Sequence, residues 1–108
     1  MADKSIGEVD TLIGTLRCSL TAAKAVSSMA GGYNGALARI GMLEFDTYVA
    51  IAAAGLGKKP SEVEAKVYSA GLVNLTAPFV EYVTYLGNGG KPVAEPANAD
   101  GDAAAGEA

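Results

Sequence analysis

Apolar positions in this chain recur at helical spacing through most of its length, and at alternate positions only near its start. The clearest pattern is in residues 43–71, LEFDTYVAIAAAGLGKKPSEVEAKVYSAG. Phe45, Tyr48, Val49 and Ala52 stand at i, i+3, i+4 and i+7, which predicts a helix over residues 44–54 with one apolar stripe. Glu44 and Asp46 fall in its first turn, where the positive end of the helix dipole favours carboxylates. Gly55 is the predicted left-handed cap, because glycine takes positive φ without a Cβ clash. Lys58, Lys59 and Pro60 make a polar turn, and Ser61-Glu62-Val63-Glu64 reads as a capping box. The helix it opens buries Val63 and Val67, carries Tyr68 and Ala70 at the flank, and stops at Gly71.

On either side of this pair the pattern continues. Leu12, Leu16, Cys18 and Leu20 share one parity, and Thr11, Thr15, Arg17 and Ser19 the other. Period two means half-buried strand, and Gly14 marks a turn, so a hairpin of residues 6–11 against 14–18 is expected. Ser19 or Thr21 can cap a helix whose inner stripe is Leu20, Ala23, Val26 and Ala30. Gly31-Gly32 stops it, and residues 33–41 form a further short helix with Leu37 and Ile40 inward and Arg39 outward. After Gly71, an amphipathic stripe of Leu72, Leu75, Phe79, Val83 and Leu86 is widened by Val73, Val80 and Tyr82. Pro78 has no N–H and clashes with the carbonyl of Asn74, which predicts a break there with Thr76 as a new cap. The fold expected is mainly α, a small bundle of four to five short helices with a short N-terminal β-hairpin. It spans residues 1–90, and residues 91–108, poor in side chains that bury area, form a disordered acidic tail.

Composition narrows the chemistry. The chain has 108 residues, half of them hydrophobic but many of those alanine, so its core is modest. A formal net charge of −4 with scattered lysine and arginine does not suit nucleic acid, and disfavours a membrane surface. The chain has no histidine and one cysteine, Cys18, so thiolate–imidazole metal sites and an internal disulfide are excluded, and no cofactor is expected. The first ten residues contain no apolar signal core, and the most apolar window, between Asp46 and Lys58, is too short to cross a bilayer. A cytoplasmic chain is expected.

Candidate reactive features are weak. Gly55-Leu56-Gly57-Lys58-Lys59 has the look of a phosphate loop, but Ala52 and Lys59 stand where the motif needs glycine and Ser or Thr. Cys18 lacks a neighbouring base, and Arg17 belongs to the opposite strand face. Glu44 and Asp46, and Glu62 and Glu64, are accounted for by helix starts. The five tyrosines draw more interest, since tyrosine is enriched in interfaces. Tyr48 and Tyr68 are expected in the core; Tyr82 and Tyr85 can serve core or partner surface.

The order of features resembles that of the small tail assembly chaperones of long-tailed phages and gene transfer agents. The likeness runs from a GEV start through TLRCSLTAAKAV, a Gly-Gly break and GALARIGM to LEFDTYVAIAAAGLG and EVEAKVYSAGL. Its most telling parts are the stretch from Phe45 to Leu56 and Val67-Tyr68-Ser69-Ala70-Gly71-Leu72. The first helix departs from that pattern in carrying Lys24, Ser27 and Ser28 in place of acid. The resemblance implies a non-enzymatic holdase of the host cytoplasm that coats the tape-measure protein before the tail tube forms around it. Tape-measure protein is then the expected partner, with the tail-tube protein a second candidate and homo-oligomerisation left open. Phe45, Leu72, Leu75, Phe79, Tyr82 and Tyr85 are the expected contact residues. The alternative is a small structural virion component, a minor tail or head-completion protein.

Overall fold

The computed structural model describes residues 7–92. Its elements are β1 (Glu8–Thr11), β2 (Gly14–Arg17), α1 (Leu20–Ser27), α2 (Gly32–Gly41), α3 (Phe45–Leu56), α4 (Pro60–Ala70) and α5 (Leu72–Gly87). The mainly α bundle with an N-terminal hairpin is thus what the chain forms. Ile6 of the expected hairpin and residues 93–108 of the expected tail lie outside the described residues.

The hairpin pairs Val9 with Leu16 and Asp10 with Thr15, antiparallel, and Cys18 N–H extends the ladder to the Gly7 carbonyl. Val9 and Leu16 point into the core. Leu12, expected on the buried parity, sits in the two-residue turn and is exposed. Gly14 takes the positive φ that the turn requires, while Thr11 Oγ1 donates to the Gly14 carbonyl and accepts from Ile13 N–H.

Ser19 caps α1 by accepting from Ala22 N–H. The face α1 buries is Ala22 and Val26, four apart; Leu20, expected in the stripe, is exposed. α2 ends in a Schellman motif: Leu43 N–H donates to the Ile40 carbonyl and Glu44 N–H to the Arg39 carbonyl.

α3 is the centre of the bundle, in contact with β2 and with every other helix. Tyr48, Val49 and Ala52 are buried as the spacing predicts, and Ile51, Ala53 and Gly55 are buried too. The expected cap at Gly55 is a correction: α3 runs on to Leu56 and Gly57 takes the left-handed position. Gly55 is instead a contact residue, since a Cβ there would come within 2.8 Å of Leu16 and 3.2 Å of Tyr82. The expected capping box is also displaced by one position pair. Pro60 is the first residue of α4, where its fixed φ and missing N–H are harmless, and the Glu62 carboxylate accepts from Lys59 N–H. Val63 and Val67 are buried, but Tyr68, expected in the core, is exposed because it projects from the opposite side of α4.

α5 corrects a further expectation. It continues through Pro78 without a break. Leu75 before the proline and Phe79, Val83 and Leu86 after it belong to one buried stripe, and an unbroken helix keeps that stripe in line. Asn74, whose carbonyl loses its helical partner, is exposed, where water can serve it. Thr76 makes no new cap; its hydroxyl lies 2.9 Å from the Leu72 carbonyl.

Candidate functional site

The expected contact residues divide into two groups. Leu75, Phe79 and Tyr82 are completely enclosed and offer no surface. Phe79 stacks on Tyr48 with ring centroids 5.3 Å apart, and Tyr82 donates to the Arg17 carbonyl at 2.6 Å, which ties α5 to the hairpin. Burial pushes the Tyr82 phenol well above its ordinary range, with Cys18 and Tyr33 adding to the shift. These three residues are therefore core, because the hairpin and α3 close over them. Phe45, Leu72 and Tyr85 are half-buried at the edge of the same core. Tyr85 donates to Glu81, a bond that raises its own pKa.

The exposed apolar surface lies elsewhere. Val73 is 73 % exposed and Val80 38 %, on the side of α5 that faces away from Phe79 and Val83. With Ala77 between them and Thr84 beyond, they stand at i, i+4, i+7 and i+11, a second stripe on the same helix. It carries no charge; Glu81, at its flank, is the one charged residue of α5. Spacing alone places Val73 and Val80 in the inner stripe; the fold turns both outward.

At the end of α2, Met42 is 68 % and Leu43 43 % exposed. Leu43 has φ 57°, the left-handed conformation, and is the one described non-glycine residue with positive φ. A Cβ there costs roughly 1–2 kcal/mol, which glycine at this Schellman position would avoid. The corner is fixed from below. The Tyr48 hydroxyl lies 2.7 Å from the Ile40 carbonyl and 2.8 Å from Thr76 Oγ1, so the end of α2 is held against α5 at the level of Thr76. Thr47 donates to Glu44, and Glu44 lies 3.5 Å from Arg39, bracing the residues that follow Leu43. Sequence spacing missed Met42 and Leu43 because they fall between helices and belong to no stripe.

The reactive candidates are placed as follows. Cys18 is half-buried at the wall of a cavity of about 350 Å³, beside Gly7, Ser19, Leu20, Ala23 and Leu86. Burial raises its thiol pKa, so it is protonated at neutral pH. Gly55–Lys59 spans the end of α3 and the turn into α4, so no strand precedes it as a phosphate loop requires. Among the described residues no three His, Cys, Asp or Glu side chains gather as metal ligands, and no helix is long and apolar enough to cross a membrane.

The fold and this surface define a small helical domain with an exposed, uncharged apolar face. Compared with protein-family models, curated proteins and solved structures, the chain matches none.

Proposed function

We propose that this protein is a binding module that covers apolar helical segments of another protein, and that it acts as a tail assembly chaperone for the tape-measure protein. The observation that carries the reading is Leu43. A half-exposed leucine occupies a left-handed corner that folding alone would give to glycine. Strain of this kind persists where the side chain has another use. Met42 beside it, and Val73, Ala77 and Val80 on α5, are further exposed apolar side chains. The sequence likeness to tail assembly chaperones supplies the client. Helix-in-groove recognition reads apolar anchors at i, i+3, i+4 and i+7, the spacing a long amphipathic client presents. Of the contact residues expected from sequence, Phe45, Leu72 and Tyr85 remain candidates, being half-buried at the edge of the core, and Leu75, Phe79 and Tyr82 are enclosed within it.

Co-expression with a tape-measure protein tests the reading. The client should be held in the soluble fraction by the wild-type chain. Met42→Ser with Val73→Ser should lose that effect while the melting temperature stays within about 2 °C, as expected for exposed positions. A client equally insoluble with and without the wild-type chain would overturn it.

A further inference from the structure

We propose that the outer edge of β1 takes a third strand, an extended basic segment of a partner protein laid antiparallel beside Glu8 and Asp10. The hairpin register decides which backbone groups are free for it. Thr11 and Gly14 flank the two-residue turn, and Cys18 N–H donates to the Gly7 carbonyl at 2.6 Å. Bonded and non-bonded pairs alternate along an antiparallel ladder, so residue 7 bonds with 18, 9 with 16 and 11 with 14. The N–H and C=O groups of Glu8 and Asp10 therefore point away from β2, and they have no partner among the described residues. The other edge of the sheet differs. The Arg17 carbonyl, which points outward from β2, already accepts from Tyr82, and β2 lies against α3. One edge is closed; the other offers backbone groups at strand spacing, which is what strand addition uses.

The side chains choose the occupant. Val9 points into the core, so Glu8 and Asp10 stand together on the opposite face of the sheet. Glu8 meets Arg17 at 3.5 Å in an exposed pair, while Asp10 is exposed, accepts from Thr15 and has no counter-charge among the described residues. Lys or Arg at two positions two apart on an added strand complements both carboxylates. A second copy is the poorer occupant, because two β1 strands side by side would line up four carboxylates. Residues 7–92 carry seven acidic and seven basic side chains, so this body is neutral as a whole and the sign is chosen locally. Glu95, Asp100, Asp102 and Glu107 draw in basic segments from a distance but select no backbone pairing. This edge shares no residue with the surface proposed for the client, so the two readings stand or fall separately.

Nuclear magnetic resonance on the full chain tests it, with a blocked eight-residue peptide of alternating threonine and lysine as the probe. In the free chain the Glu8 and Asp10 amides should exchange with solvent at least about tenfold faster than those of Val9 and Leu16. Peptide at about 1 mM, a concentration suited to a few exposed hydrogen bonds, should shift the Glu8 and Asp10 amide signals and slow their exchange. Lysines opposite Glu8 and Asp10 aim their own N–H groups at β1, and the threonines aim theirs away. N-methylation of the lysine nitrogens should therefore cost at least about tenfold in affinity, and N-methylation of the threonine nitrogens much less. Glu8→Gln with Asp10→Asn should also weaken binding at least about tenfold, with the circular dichroism melt unchanged. Equal binding of the two methylated peptides, or unchanged binding by the neutralised variant, would overturn the proposal. So would slow Glu8 and Asp10 exchange in the free chain, whether the cover comes from its own residues or from a second copy.

Discussion

α3 and α5 are built from similar material and end in different surroundings. Each carries one charged residue, Asp46 in α3 and Glu81 in α5, and each packs against all the other helices. In α3 the apolar side chains run around the whole helix, and the fold covers them; Asp46 is its one exposed residue. In α5 the fold covers one side and leaves Val73, Ala77 and Val80 in water. An apolar helix is covered on every side in a finished core. The rule is met in α3 and left half unmet in α5, whose open side is the face proposed to take a client.

The sharpest way to break this contrast is to truncate neighbouring residues on its two sides. Phe79→Ala should cost about 3–5 kcal/mol in urea unfolding, since Phe79 is fully enclosed and stacked on Tyr48, whereas Val80→Ala should stay within about 0.5 kcal/mol. Equal costs would mean that α5 has no open side. In α3, Gly55→Ala should destabilise by about 1–3 kcal/mol, because the new methyl meets Leu16 and Tyr82. At exposed Ala77 the two extra carbons of Ala77→Val should cost no more than valine's lower helix propensity, below about 0.7 kcal/mol.

Tyr82 sharpens the comparison through pH. Its folded pKa is raised above the ordinary 10.0 by burial, so the folded chain keeps a proton that the unfolded chain gives up. The stability from this group is complete below pH 10 and is lost as pH rises beyond it. The unfolding midpoint should fall above pH 10 in the wild type and fall less steeply in Tyr82→Phe. At neutral pH that substitution should cost about 1–3 kcal/mol, because the Arg17 carbonyl loses its donor. One further effect is expected as a gain. Leu43→Gly should stabilise the fold by about 1 kcal/mol by relieving the left-handed leucine, and should weaken client holding in the same variant. A loss of stability would show that Leu43 serves the fold after all.

Most of the architecture was legible in order and type. The hairpin, a cap at Ser19 or Thr21 and the paired helices α3 and α4 follow from local pattern, whereas α1 ends at Ser27, short of the stop expected at Gly31-Gly32, which instead opens α2. The misplaced boundaries of α3 and α4 share one cause. Gly55 and Gly57 are both able to cap α3, and α4 can open with Ser61 as its cap or with Pro60 as its first residue. Local rules rank such neighbours equally; packing at Leu16 and Tyr82 and the fixed φ of Pro60 choose between them. The site was less legible. Tyr82 was open to core or surface because tyrosine suits both, and only the reach of its hydroxyl to Arg17 makes it core. Val73 and Val80 were read inward because an apolar residue on an amphipathic helix ordinarily points that way.

By itself the sequence determined the kind and order of the elements, the absence of histidine chemistry, and the confinement of net charge to the last sixteen residues. These depend on residue identity and short-range spacing, which the unfolded chain already possesses. Tertiary structure alone decided which of the two stripes of α5 meets the core, that Pro78 leaves the helix whole, and that Leu43 is held in a strained, half-exposed corner. Those outcomes depend on what lies on the far side of each helix, and neighbours distant in sequence supply that only once the chain has folded.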